Sequence, residues 1–312
     1  KSLIIFLSIV MFIVAGVVGI GGVAYITLPY NEELVETSDV YYSLSEEDKT
    51  VAIADGVQPA QEGAVSIHFL ELGNKYTWDC TYIKVGENID ILIDCGSKSN
   101  SISTVTSYLN EYVTDGILEY VIVTHAHEDH YAGFATSTNI QSIFDLFECK
   151  NIITFSTTNQ KASSEYDDNN IVSYASASKS ESKMYNNFNR ELEELLARGS
   201  EAKHLTVQQI IEDEQTYPNG EIVLDDKNDI TLQILDSYYY TAKASTENDY
   251  SVCAMLNQGD KHFIFTGDLE EKGEEYLIET SRNPVFAEAG FYVELYKAGH
   301  HGSKTSSTME ML

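Results

Sequence analysis

The chain has 312 residues, 43% of them hydrophobic, enough for one enzyme-sized domain with a full core. Asp and Glu number 49 against 19 Lys and Arg, a net charge of −30. That excess disfavours nonspecific nucleic-acid binding, which draws its affinity from Lys and Arg on phosphates, and four Cys without a Cys-x-x-Cys pair disfavour a thiolate zinc site.

Residues 3–28 form an uncharged apolar run behind Lys1. As a helix the run would span about 39 Å, more than a bilayer core of about 30 Å. The expectation is a transmembrane anchor or signal helix over residues 1–28, with Gly22-Val23-Ala24 as a small-x-small cleavage site. With Lys1 inside, the remainder faces outward from the cell membrane or is secreted. Residues 29–63 are acidic and polar, the composition of a linker. Residues 64–312 read as one domain. Runs at 81–85 and 89–94 flank Gly86-Glu87-Asn88 as a hairpin. A turn centred on Glu87-Asn88 would set Cys80 opposite Cys95, a pair that an extracellular location would let oxidise. A helix is expected over 101–113, a strand at 120–124, a helix at 139–147 and a strand at 152–155. Residues 156–184 are rich in Ser, Asn, Asp and Ala, an insertion serving as surface loop or lid. An amphipathic helix follows at 187–198, then a strand pair at 221–224 and 230–235, a hairpin at 251–256 and 262–266, and an acidic helix at 270–279.

The densest chemistry lies after the strand ending at Thr124: His125-Ala-His127-Glu-Asp129-His130. Residues two apart at a strand mouth project to one side, so His125 and His127 can share a cation. Asp129 and His130 follow where the backbone turns away, facing a second point. Two neutral imidazoles suit zinc, and a carboxylate with an imidazole suits a second zinc, iron or manganese. The bland alternative, a polar loop that happens to be His-rich, does not account for four potential ligands, three His and one Asp, in six positions.

The His-x-His-x-Asp-His pattern resembles the metallo-β-lactamase superfamily. Further segments fit in order: Ile91-Leu-Ile-Asp94-Cys-Gly96, Phe263-Ile-Phe-Thr-Gly267-Asp268, and Leu295-Tyr-Lys-Ala-Gly-His300-His301-Gly-Ser303-Lys304-Thr-Ser306-Ser307. The last, with Asn248-Asp-Tyr-Ser251 and Ser66-Ile-His-Phe-Leu-Glu-Leu-Gly73, resembles the C-terminal hydrolase domain of competence-protein (DNA-uptake channel) type and its secreted relatives. The resemblance implies an α/β fold, an αββα four-layer sandwich, and two divalent metal ions, zinc or else manganese or iron, sharing a hydroxide. His125, His127, Asp129, His130, Asp268 and one of His300 and His301 are the implied ligands. Adjacent residues on an extended backbone point opposite ways; its place directly after the strand favours His300 as ligand, leaving His301 for catalysis beside Asp129. Ser303 and Lys304 are implied at the substrate, as Ser306 and Ser307 are unless they cap a helix. Asp94 is implied behind a ligand His, and Asp79 at the site edge. The third-motif His of many members has no match: His204 is expected in a polar connection and His262 just before the Asp268 strand. Such proteins continue with further strands beyond the Ser306-Ser307 pair, so the domain is expected to be incomplete at its C-terminal side.

These features imply an extracytoplasmic metal-dependent phosphodiesterase, acting on DNA or on a small or polymeric cell-wall phosphoester, attached to the membrane through its N-terminal helix. The alternatives are a lactam, lactone or thioester hydrolase of the same fold, and a non-enzymatic membrane-anchored module with a degenerate site.

Overall fold

The computed structural model describes residues 23–28, 62–70, 78–96, 101–135, 140–160, 180–198 and 201–312. Its architecture is mixed α/β, with two sheets. The first has seven strands in sequence order: β1 (Val23–Leu28), β2 (Val65–Leu70), β3 (Thr81–Val85), β4 (Ile89–Ile93), β5 (Ile117–Val123), β6 (Glu148–Thr154) and β7 (Lys203–Thr206). β1 to β4 pair antiparallel, while β4 to β7 run parallel. The second sheet has the order β12-β11-β10-β9-β8, from β8 (Glu221–Asp225), β9 (Ile230–Leu235), β10 (Cys253–Gln258), β11 (Lys261–Phe265) and β12 (Leu295–Lys297).

Period-two alternation joins the sheets. Leu232 and Ile234 of β9, Ala254 and Leu256 of β10, Phe263 and Phe265 of β11 and Leu295 of β12 share one buried cluster with Ile67, Ile83, Ile91 and Val121 of the first sheet. The intervening residues Met255, Ile264 and Tyr296 turn to the other face, where Leu269 and Leu277 cover them. Leu277 belongs to α6 (Glu271–Glu279), and the other helices are α1 (Ser101–Tyr112), α2 (Glu128–Tyr131), α3 (Ile143–Leu146), α4 (Ser180–Ala197) and α5 (Val207–Glu212). α1 lays Tyr108 and Tyr112 against His68 and Tyr82. His68 is buried on β2, its ring nitrogens meeting Tyr108 and Ser66, away from the metal-ligand types.

The N-terminal expectation needs correction. Residues 23–28 are not the end of a helix but β1, paired antiparallel to β2 from Val23 opposite Leu70 to Leu28 opposite Val65. An apolar run fits either period, and Val-Ala-Tyr-Ile-Thr-Leu is rich in β-branched and aromatic residues. Residues 1–22 and most of the expected linker lie outside the described residues. Among the described residues no helix is long and apolar enough to cross a membrane. The hairpin register also differs by one from expectation: Thr81 faces Ile93, which carries Cys80 opposite Asp94. Cys80 and Cys95 are free buried thiols. Elsewhere β5, β6 and α4 begin earlier than their patterns suggest. The insertion is shorter too, since α4 starts at Ser180, and its residues 161–179 lie outside the described residues.

Candidate metal centre

Most ligand-type side chains of the site follow the C-terminal end of a strand; Asp79, just ahead of β3, does not. β5 delivers Thr124, His125 and, one residue later, His127; α2 then carries Asp129 and His130. β4 delivers Asp94, β11 delivers Asp268 and β12 delivers the paired histidines. Gly267 fixes the approach of Asp268: its φ is +54°, and a Cβ there would lie 2.9 Å from Ser251 Oγ and 3.0 Å from Thr124 Cβ, so only glycine fits. Ser251 Oγ then accepts from Asp268 N–H at 3.0 Å and stands 3.4 Å from His125 Nδ1.

Two groups result. His125, His127 and Asp268 bring ligand atoms within 4.8 Å of one another, as do Asp129, His130 and His301. Asp268 Oδ2 lies between them, 3.8 Å from His125 Nε2, 3.3 Å from His130 Nε2 and 3.6 Å from His301 Nε2. Three buried atoms here have no hydrogen-bond partner: His130 Nε2, His301 Nε2 and Asp268 Oδ1. Orphaned buried polar atoms are costly. Three of them on neighbouring side chains, all of metal-ligating type, fit a site for divalent cations.

Supporting contacts orient these groups. His130 Nδ1 lies 2.7 Å from Asp94 Oδ2, and Asp94 also accepts from Thr124 N–H at 2.8 Å and the Thr124 hydroxyl at 2.7 Å. A ligand imidazole backed by a carboxylate keeps its distal nitrogen free for a metal. Burial opposes a charge on His130, but Asp268 and Asp94 outweigh it and raise the imidazole well above its ordinary pKa. Burial holds His125 low, with the His130 charge adding to the effect. Although burial works against it, Asp268 is held far below the usual carboxylate range, chiefly by His130. Asp129 is lowered in the same sense by His301 and His130.

The expected division between the closing histidines is reversed. His300 joins neither ligand group. Its Nδ1 lies 3.0 Å from Thr305 Oγ1 and 3.7 Å from Glu270 Oε1, its Nε2 is 3.8 Å from Asp268, and the side chain is 27% exposed. His301, 15% exposed, turns inward to Asp129 and Asp268. The backbone explains the reversal. It is not extended: His300 and His301 have φ of +49° and +52°, a left-handed pair costly for residues with a Cβ. Ser303 is half-buried against Thr305, and Lys304 is exposed at the rim. Ser306 donates its hydroxyl to Leu269 O, and Ser307 N–H donates to Glu274, so both brace α6 rather than face the ligands.

Asp79 lies inside the site rather than at its edge. It groups with Asp268 and His301, and also with Asp94 and His130. Its side chain pairs with Lys297, a residue that sequence reasoning passed over. A lysine in a chain so poor in cations, at a strand end before two histidines, was the available signal. His204 lies on β7, not in a polar connection, with Nε2 2.8 Å from Thr154 Oγ1. His262 meets Asn257 and Phe291. Neither belongs to a ligand group among the described residues. The near end of the insertion does reach the site's border: Asn159 N–H and the Thr158 hydroxyl donate to Glu247, and Gln160 Nε2 donates to Ala126 O.

Residues 79–141 match the family described as "Metallo-beta-lactamase superfamily". The matched segment contains Asp79, Asp94 and the His125 to His130 ligands. Among solved structures, one similar to this chain is a metallo beta lactamase from Hirschia baltica. It is 12% identical, with a TM-score of 0.31 over 66% of this chain and 68% of that one. No curated protein matches the chain. The His and Asp groups of this chain are of a kind that suits a divalent metal.

Proposed function

We propose that the protein is a metal-dependent phosphodiesterase with a dinuclear centre, built on a four-layer αββα sandwich of competence-protein type. The observation that carries this reading is the pair of ligand groups meeting at Asp268, with His130 Nε2, His301 Nε2 and Asp268 Oδ1 buried and unpartnered. His125 and His127 would hold one cation, Asp129, His130 and His301 the other, and Asp268 would touch both. Bound divalent cations supply an acidified water and charge stabilisation at neutral pH. The chain's own residues do the rest. Asp94 and Thr124 fix the ring of His130, and Ser251 fixes the backbone of Asp268. His300, held by Thr305 and partly exposed, would hydrogen-bond the departing oxygen. Ser303 and the exposed Lys304 follow the paired histidines and would supply a hydroxyl and an ammonium to a phosphate oxygen.

Charge argues for a small phosphoester, or one short stretch of polymer, over a long nucleic-acid track. Lys297 is engaged by Asp79, and a net charge of −30 repels a polyanion. The apolar residues 3–22 support an outward-facing or secreted enzyme. The test is turnover of a chromogenic phosphodiester by the full chain, stripped of metal and then reloaded with zinc or manganese. Absence of turnover with both metals, by protein shown to have bound them, would refute the phosphodiesterase reading.

A further inference from the structure

Lys297 closes β12, three positions before His300. Its ammonium meets Asp79 Oδ2 across the two sheets, for β12 lies in the five-stranded sheet and Asp79 stands two residues before β3 of the other. The side chains are 18% and 6% exposed. The backbone of Asp79 is held independently: its N–H donates to Asp129 O at 3.0 Å, and its carbonyl accepts from Gly96 N–H at 2.8 Å. Only the carboxylate is therefore free to choose a partner. It already lies within 4.8 Å of ligand atoms on Asp268 and His301, and likewise of those on Asp94 and His130. Asp79 is by chemistry and place a further cation ligand, and Lys297 competes for it.

We infer that Lys297 is a positioning residue that withholds Asp79 from the second cation subsite, so that Asp129, His130, His301 and Asp268 are its protein ligands and one coordination position stays open for substrate. This rests on the metallohydrolase reading above. The physical reason is that catalytic sites keep an open position where structural sites are closed by protein. An ammonium and a divalent cation on the same carboxylate also repel each other at contact distance. Lysine is an ammonium at neutral pH, and the Asp79 carboxylate beside Lys297 is its partner.

The inference gives a sign opposite to that expected of a residue that merely supports the site. Lys297→Met frees Asp79, so one zinc should bind roughly 10-fold more tightly or better, a supporting contact being worth about 10- to 100-fold in metal affinity. Turnover should fall in the same variant as the open position closes. Asp79→Asn leaves the ammonium facing the subsite without its partner, and zinc should bind more weakly by a similar factor. Lys297→Arg, which keeps the charge, should behave as wild type, and the Asp79→Asn/Lys297→Met double variant should return close to wild-type affinity.

The experiment is a zinc titration of the metal-stripped full chain against a chromophoric chelator, for wild type and these four variants, with melting curves of each apo form. Apo Lys297→Met should melt below wild type, because a buried carboxylate has lost its partner, and zinc should raise its melting temperature by more than it raises that of wild type. Equal or weaker zinc binding by Lys297→Met, with wild type binding normally, overturns the inference alone. Should that variant not fold, the double variant decides, since it buries neither charge: wild-type zinc affinity supports the inference, and a marked loss overturns it. A wild type that binds no zinc removes the metallohydrolase reading and the inference together.

Discussion

His301 Nε2 lies 3.5 Å from Asp129 Oδ2, while its chain neighbour His300 reaches outward to Thr305 and Glu270. Two adjacent residues of one type are thereby given different surroundings by a left-handed backbone. His301→Ala should lower the zinc content of the protein. His300→Ala should retain the zinc and lose kcat/KM. Metal analysis beside steady-state kinetics checks both, and zinc lost from the His300 variant alone would reverse the assignment.

Asp94 touches no proposed cation; it holds His130 at 2.7 Å and is itself held by Thr124. Asp94→Asn keeps the shape and weakens the acceptor. Zinc affinity should fall by about 10- to 100-fold, the usual cost of removing a carboxylate behind a ligand His. A chelator competition measures this, and unchanged affinity would leave Asp94 as a turn residue.

Asp129 is 28% exposed at the rim of the site, so its removal spares the core. In Asp129→Ala, turnover of a chromogenic phosphodiester should drop by about 10³-fold or more, since a cation holder supplies both nucleophile and charge stabilisation. The melting temperature of the metal-free protein should move little. Undiminished turnover would sink the dinuclear mechanism.

Burial lowers the His204 imidazole to about 4, whereas an unfolded His titrates near 6.5. Because the folded value is the lower one, the unfolded chain takes up the proton first as pH falls. The stability owed to neutral His204 is therefore whole above about pH 6.5, declines towards pH 4 and is level below. His68, also lowered to about 4 by burial, acts in the same direction. His204→Gln, which can still meet Thr154, should flatten this acid limb in melting curves taken from pH 7 to pH 4. Its turnover at neutral pH should match wild type, because β7 keeps residue 204 away from the ligands.

The strands that shape the site were legible because their chemistry is local. Val121 to Val123 is a β-branched run ending in the metal loop, and Phe263 to Phe265 alternates cleanly between two apolar faces. Asp94, Asp268 and the four ligands of the loop follow strand ends, which patterns locate well. β1 was not legible, because an apolar stretch without polar alternation suits helix and strand alike. β7 escaped because four residues carry too little pattern. The order of His300 and His301 depended on two dihedral angles that no spacing reveals. The Asp79–Lys297 pair joins residues more than two hundred positions apart, one just ahead of β3 and the other on β12 of the second sheet, and such a contact leaves no trace in a single sequence.

The edge position of β1 has a practical meaning for anyone producing this protein. A shortened chain that begins after residue 60, the natural cut if everything earlier were only an anchor and a stalk, would strip β2 of its neighbour. The outer edge of β2, from Val65 to Leu70, would then offer its amide and carbonyl groups to any passing strand, including the same edge of another molecule. Aggregation of such a fragment would reflect a missing strand rather than an unstable enzyme. Fragment boundaries belong upstream of Val23.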